Sequence, residues 1–420
     1  MFANIMKLAP LLLIVLLLLI GCAQKDSAVG SSLAPGLNEI YPQDTTLYAW
    51  ATNFLQAQAT TGSSPFLYLG RDAGYDADAL LKFNPATALP DSYLVDSLIV
   101  KLYLDSILAN EGSDLPVSVA LLNRSYSWFE IGVTWENLDP QATSRYLYLD
   151  PDQYGNSIAS FQIPSAAADS DSFAFYLPSP DSLLRAWESA GAGGKTLHFN
   201  NGLYLLSDKS QDFLVRLASA ENSLVSRRPR LEIYLTAIDT SDTITTTSAW
   251  DTLLYAGADA FIAQSSTPLD SSYLYLGNAV ACRSLVLFDV ENLLPGYGTA
   301  VQRAEIILHA DTTHPLNYDG ITSGFYLQMQ DSSWMTNPDE ALTQSGSPIL
   351  AIYDSESAKL VLNITSTVYD WITHSEINYG VMIKSANEYY DLSRTVFYGS
   401  GAPDSLRPQL RVVYLQGVEL

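Results

Sequence analysis

The chain has 420 residues, 48% of them hydrophobic, with 45 acidic against 21 basic side chains and a formal net charge of −24. That length exceeds one ordinary core and suggests two domains of roughly 170–190 residues, while the charge repels nucleic acid and excludes it as a partner. Cys22 and Cys282 are the only cysteines; with Cys22 assigned another role below, no intramolecular disulfide is available, and Cys282 in its apolar run is a small buried hydrophobe.

Residues 1–21 carry Lys7, an apolar run from Leu11 to Ile20 and then Gly21-Cys22, the layout of an export signal peptide and too short for a spanning helix. Leu19-Ile20-Gly21-Cys22 resembles the lipobox of bacterial lipoproteins. The resemblance implies that Cys22 becomes the mature N-terminus and carries more than one acyl chain, as a stable membrane anchor requires. Ala23, with no aspartate at that position, implies the outer membrane of a diderm bacterium. Residues 22–43, rich in Ser, Ala, Gly and Pro without periodicity, have the composition of a flexible tether.

Beyond the tether, Asp44–Gly70 (DTTLYAWATNFLQAQATTGSSPFLYLG) recurs without a gap as Asp251–Gly277 (DTLLYAGADAFIAQSSTPLDSSYLYLG). Tyr48/Tyr255, Ala51/Ala258, Phe54/Phe261 and the closing Leu67-Tyr68-Leu69-Gly70 against Leu274-Tyr275-Leu276-Gly277 keep identity and spacing together, which marks a tandem repeat of one domain. Gly70 and Gly277, ending the matched stretch, are structural positions. The repeats span 44–238 and 249–417, with a polar, threonine-rich linker at 239–248. In the first copy, runs of Val, Leu, Ile, Tyr and Thr at 45–50, 66–70, 80–83, 98–104, 117–122, 173–177, 203–206 and 231–235 are broken by turn-forming residues. Several alternate apolar with polar, as in Ile99-Val-Lys101-Leu-Tyr103-Leu. This predicts an all-β chain of two antiparallel β-sandwich domains, and about eight strands per copy suits a jelly roll.

One short capped helix is predicted in each copy. Ser179-Pro180-Asp181 supplies an N-cap, a first-turn proline and an acidic residue ahead of Leu183, Leu184 and Trp187. Asn363 caps the second helix ahead of Val368 and Trp371. Trp187 and Trp371 are expected to be structural, each burying the apolar stripe of a lone helix against one end of its sandwich. Each copy closes with a proline leading into an edge strand, at Arg228-Pro229-Arg230-Leu231 and Arg407-Pro408-Gln409-Leu410.

Nothing in the chain points to catalysis. His198, His309, His314 and His374 share no zinc-site spacing, and no nucleophile elbow, phosphate loop or dinucleotide fingerprint occurs. No cofactor is called for, although acidic loops such as Asp169-Ser-Asp171 offer oxygens to a structural Ca²⁺. Tyr146-Leu-Tyr148 and Tyr389-Tyr390 are the tyrosine clusters, whose rings either cover a sheet face or stack on a sugar. The dense basic cluster is Arg227, Arg228 and Arg230, so a neutral glycan or a protein suits this acidic chain better than a polyanion.

The order LYLGRD, ALLKF, VKLYL, SW followed by GVTWEN, a capped helix ending in AW, NGLYLL and RPRLEIYL returns as LYLG, SLVLF, EIILHA, SW, a capped helix ending in YDW, NYGVMIKS and RPQLRVVYL. This order resembles the DNRLRE-domain family, whose members include carbohydrate-binding modules and domains related to archaeal disaggregatase. The second copy departs from it at Met335–Asp339, where it lacks the Gly132–Asn137 motif. The resemblance covers nearly all of the chain after the tether. It implies exported jelly-roll modules, binding polysaccharide in some members, and transfers no catalytic residue. The expected function is a lipid-anchored, non-enzymatic cell-envelope protein that binds glycan in adhesion. A non-catalytic accessory subunit of an envelope complex is the alternative, and a polysaccharide-degrading enzyme a third reading.

Overall fold

The structure, a computed structural model, describes residues 40–84, 86–122, 128–135, 154–191, 194–197, 202–239, 246–291, 293, 300–314, 321, 323–344 and 349–417. The signal peptide, Cys22, most of the tether, Tyr146, Tyr148 and His198 lie outside the described residues. In chain order the first half forms strands β1 (Ile40–Tyr48), β2 (Ala51–Gln58), β3 (Phe66–Asp72), β4 (Tyr75–Phe83), β5 (Ala86–Leu89), β6 (Tyr93–Asn110), β7 (Leu115–Leu122), β8 (Tyr154–Ile163) and β9 (Ser172–Tyr176). Helix α1 (Pro180–Trp187) follows, then β10 (Glu188–Gly191), β11 (Gly194–Leu197), β12 (Leu203–Ser207), β13 (Phe213–Ala218), β14 (Arg230–Asp239) and β15 (Thr246–Ser265). The second half comprises β16 (Tyr273–Gly277), β17 (Val280–Leu287), β18 (Ala300–His309), β19 (Ser323–Gln328), β20 (Ile349–Asp354), β21 (Lys359–Asn363), α2 (Thr365–Ile372), β22 (Val381–Ser385), β23 (Arg394–Tyr398) and β24 (Gln409–Gly417).

The alternation in the sequence becomes alternation in burial. Along β6, Leu98, Val100, Leu102 and Leu104 are fully buried while Lys101 and Tyr103 are half-exposed, because successive side chains of a strand point to opposite faces. One sheet runs β15-β14-β6-β13-β3-β4-β12-β7-β8, with β9 added to β6 and β15 also pairing with β4; a second runs β1-β24-β18-β21-β20-β19-β22-β17-β2. Each bends round a core of its own, centred on residues such as Leu69, Val100 and Phe213 in the first and Leu276, Ile306 and Leu410 in the second. The fold is therefore all-β, with antiparallel sandwiches of jelly-roll character and, among the described residues, one short α-helix in each half.

The strand opening each repeat completes the sandwich of the other repeat. The first ten residues of β15 pair with β14 and the rest with β4, so this second-repeat strand bridges both layers of the first sandwich. The equivalent stretch of the first repeat, β1 and β2, pairs with β24 and β17 of the second. Ring contacts cross in the same way: Phe54 meets Tyr275 edge-on at 4.9 Å, and Phe261 meets Tyr68 at 4.7 Å. The packed units are thus 66–265 and 273–417 with 40–58, offset by one strand from the repeats at 44–238 and 249–417. Connectivity explains the offset. Asp239 faces Thr246 across the β14–β15 hairpin, so β15 returns directly beside the strand before it, and a short connection costs little entropy to close. The β1–β2 stretch pairs instead with β24 and β17, which also draws Ile40–Gln43 out of the expected tether and into β1.

Both helices form where expected, but Ile364 rather than Asn363 stands at the N-cap of α2. Ser179 occupies the N-cap of α1 but makes no side-chain cap bond, its backbone being left-handed at φ 50°. Asn363 precedes α2 by two residues, and its Oδ1 accepts from the backbone N of Thr365 at 3.1 Å. No helix among the described residues is long and apolar enough to cross a membrane.

Candidate functional site

Exchange of the opening strand places Trp50 at a corner of the second sandwich. Between β1 and β2 the chain leaves one layer of the second sandwich for the other, and the corner is pinned to both: Ala49 N donates to Pro408 O at 3.0 Å, and Trp50 N to Leu287 O at 2.8 Å. Ala49 is buried in the core, which turns the Trp50 indole outward, 68% exposed. Beside it opens a cavity of about 570 Å³ lined by Trp50, Leu287–Glu291, Trp371, Ile372, His374 and Glu376–Asn378. This lies within the usual range for small-ligand sites.

The wall opposite the corner is the end of α2 and the turn after it. Trp371 is 4% exposed; its Nε1 donates to Gln328 Oε1 at 3.3 Å, so the ring is fixed to the sandwich and also borders the cavity. The turn is held by Asn378, whose Nδ2 donates to Phe288 O at 2.7 Å and whose Oδ1 accepts from Gly380 N at 3.0 Å. Gly380 has φ +90° and packs against Val286 O, where a side chain would not fit. Three carboxylates, Asp289, Glu291 and Glu376, and one imidazole, His374, complete the lining. Asp289 Oδ1 accepts from Glu291 N at 3.1 Å. Glu376 Oε2 is buried without a hydrogen-bond donor among the described residues. An exposed indole, acceptor-rich walls and no Lys or Arg in the lining make a cleft suited to a neutral ligand that presents an apolar face and donates hydroxyl protons.

Among the described residues the first sandwich has no such corner, since β15 runs unbroken from Thr246 to Ser265. Gly257 replaces Trp50 in the repeat, and a Cβ there would overlap the Asn84 side chain. Trp187, the equivalent of Trp371, is half-buried against the first core together with Leu183, while Leu184 is fully buried.

The other predicted site residues lie apart from the cleft. Tyr389 is exposed, whereas Tyr390 is half-buried and set edge-on to Phe66 of the other sandwich at 6.1 Å. Gly70 has φ +120°, and a side chain would overlap Phe213 O; Gly277 lacks the positive φ but is hemmed in by Val280 O at 3.0 Å and Cys282 at 3.2 Å. Cys282 is fully buried, which pushes its thiol up to about 12. In the Asp169–Asp171 turn, Asp171 Oδ2 is taken up by Ala168 N at 2.8 Å. His314 pairs with Asp311 at 3.1 Å; burial and the charge of Lys359 push His309 down from its ordinary pKa. The basic cluster is turned inward: Arg227 reaches Asp105, Arg228 donates to Asn222 O at 2.9 Å and Arg230 pairs with Glu232 at 3.0 Å.

No protein-family model matches the chain, and no curated protein does. Among solved structures, that of the Macrobrachium rosenbergii nodavirus is 11% identical over 90% of each chain with a TM-score of 0.10. Infectious bursal virus derived T=1 particles align at 11% identity over 92% of this chain and 76% of theirs with a TM-score of 0.09. The Sputnik virophage aligns at 8% identity over 91% and 86% with a TM-score of 0.10. At such scores the alignments establish no common fold.

Proposed function

We propose that this chain is a non-catalytic, lipid-anchored cell-envelope protein of the DNRLRE type that binds a neutral glycan in the cleft beside Trp50. The observation that carries the reading is the exposed Trp50 indole over a cavity of about 570 Å³ walled by Asp289, Glu291 and Glu376. A pyranose offers an apolar face for the ring and a rim of hydroxyl donors for the carboxylate oxygens of the lining. Two further facts support a neutral polymer: the chain's net charge of −24, and the engagement of Arg227, Arg228 and Arg230 with internal partners. Cys22, acylated, would hold the protein at the outer membrane with the sandwiches lifted from its surface. A glycan array probed with the chain lacking residues 1–39, followed by titration of the best ligand, tests the reading. Trp50→Ala should weaken binding at least tenfold with the melting temperature unchanged; a mutant that binds like its parent refutes the cleft as the site.

The accessory-subunit reading rests on a different observation. Leu350 and Ile352 are exposed on one face of β20 of the second sandwich, Ile352 to 73%, and apolar side chains grouped on a surface mark protein contacts. Leu350→Lys with Ile352→Lys, leaving glycan binding intact while abolishing co-purification of an envelope protein, would favour it.

A further inference from the structure

Three carboxylates meet in the first sandwich, away from the cleft. Asp259 lies on β15, Glu130 in the turn after Trp128 and Glu221 after β13; an oxygen from each lies within 4.8 Å of one from each of the others. Asp259 is 1% exposed. Its Oδ2 accepts from Ala220 N at 2.7 Å, but its buried Oδ1 meets no hydrogen-bond donor among the described residues. The backbone N of Asp259 donates to Glu130 Oε1 at 3.0 Å, and the Ser219 hydroxyl donates to Glu221 Oε2 at 3.3 Å. Burial, reinforced by the Glu221 charge, holds the Asp259 carboxyl well above the usual carboxylate range, and burial raises Glu130 and Glu221 as well. Arg228 acts on Glu221 through its charge, while its Nε is donated to Asn222 O. Three like charges around one partly desolvated point repel one another until protons or a cation neutralise them.

The second sandwich is an internal control. Thr52 takes the place of Asp259 and makes the same bond, its Oγ1 accepting from Ser400 N at 3.2 Å. Gly401 follows Ser400 as Glu221 follows Ala220, and Thr336 stands two residues past Trp334 as Glu130 stands past Trp128. Neutral side chains therefore satisfy this position of the fold, and the acidic set in the first sandwich exceeds what the shared hydrogen bond needs.

We infer that Asp259, Glu130 and Glu221 form a calcium site. An all-oxygen, anionic donor set suits a hard divalent cation, with water completing six to eight ligands. Glu221 lies on the exposed side and gives the ion a way in. The ligands join the exchanged strand β15 to two loops of the sandwich that receives it, and Gly62, on the connection from β2 to β3, packs so closely on Glu130 that a Cβ would overlap its backbone. A bound ion therefore fastens the second repeat's strand where the chain crosses between the sandwiches.

The test is calorimetric titration of the full chain, stripped with EDTA, with CaCl₂ at pH 7.5, together with melting curves in EDTA, Ca²⁺ and Mg²⁺. Asp259→Thr and Glu130→Thr copy the second sandwich, where Thr52 and Thr336 stand at these places, so both variants should fold. The expected result is one Ca²⁺ bound with a Kd of about 10⁻³ M or tighter and a rise in melting temperature with Ca²⁺ exceeding that with equimolar Mg²⁺. Both effects should be lost in each variant, which in EDTA should melt no lower than the parent. A parent that takes up no Ca²⁺, variants that keep the same stoichiometry and shift, or a response to Mg²⁺ as large as that to Ca²⁺ would each overturn the assignment.

Discussion

Removing residues 40–58 should unfold the second sandwich and spare the first. The deleted stretch supplies nine facing pairs to β24 and eight to β17. The net worth of those hydrogen bonds, about 0.5–1.5 kcal/mol each, is largely offset by the cost of ordering the strand, about 1–2 kcal/mol per residue. The balance then rests on side chains. Leu47 packs on the second core, Leu55 on the cluster around Trp334 and Phe54 on Tyr275. A fully buried side chain of this size contributes about 1.5–3 kcal/mol, so these partly buried ones contribute on the order of 3–6 kcal/mol together. A domain's total stability is about 5–15 kcal/mol, and two bare sheet edges are exposed besides. Fragments 66–265 and 273–417 should therefore behave differently in thermal unfolding followed by circular dichroism. The first should melt cooperatively. The second should not until a peptide of residues 40–58 is added. Residues 249–417 are a poorer test, because they carry β15, the equivalent strand, which can fill the vacant place. Cooperative melting of 273–417 alone, at the temperature seen in the whole chain, would refute the exchange.

Trp371→Ala should destabilise the second sandwich by about 3–5 kcal/mol, and Trp187→Ala the first by less, because Trp187 is only half-buried; calorimetry with two resolved transitions separates them. Gly70→Ala should cost about 1–3 kcal/mol in backbone strain plus the clash with Phe213 O, and Gly277→Ala, free of the positive φ, distinctly less by urea unfolding. In EDTA the first sandwich should lose stability as pH rises from the ordinary carboxylate range towards neutrality. The sign follows from the raised pKa values of Asp259, Glu130 and Glu221: the folded chain keeps protons that the unfolded chain has already released. Urea midpoints measured across pH 4–8 should show that decline in the parent and a shallower one in Asp259→Thr, where Glu130 and Glu221 remain raised by burial. Cys22→Ser should abolish incorporation of labelled palmitate.

The repeat, the strands and both helices could be read from the sequence because each depends on local pattern: alternation in 98–104, proline and acid at Pro180-Asp181, the doubled LYLG. The exchange could not. Tyr48 and Tyr255, or Phe54 and Phe261, are the same residues in the same spacing, so either strand fits either sandwich, and the choice rests on the shortness of the β14–β15 hairpin. The cleft and the carboxylate cluster lie where the copies differ. Trp50 stands against Gly257 and Asp259 against Thr52 within the aligned stretch; weighing the mismatches along with the identities would have pointed to both. Glu130 and Glu221 were out of reach, since only the folded loops bring them to Asp259.

The exchanged strand also sets an order of events during synthesis. Asp44 and Arg411 form an ion pair across 367 positions of chain, so β1 waits for β24. The 66–265 unit can close as soon as β15 is available, whereas β1 and β2 remain unpaired until β17 and β24 exist. Contacts this distant in sequence form slowly, and a waiting strand is open to capture by a neighbouring chain. Refolding should accordingly proceed in a fast and a slow phase, and the slow one should divert into dimers as protein concentration rises.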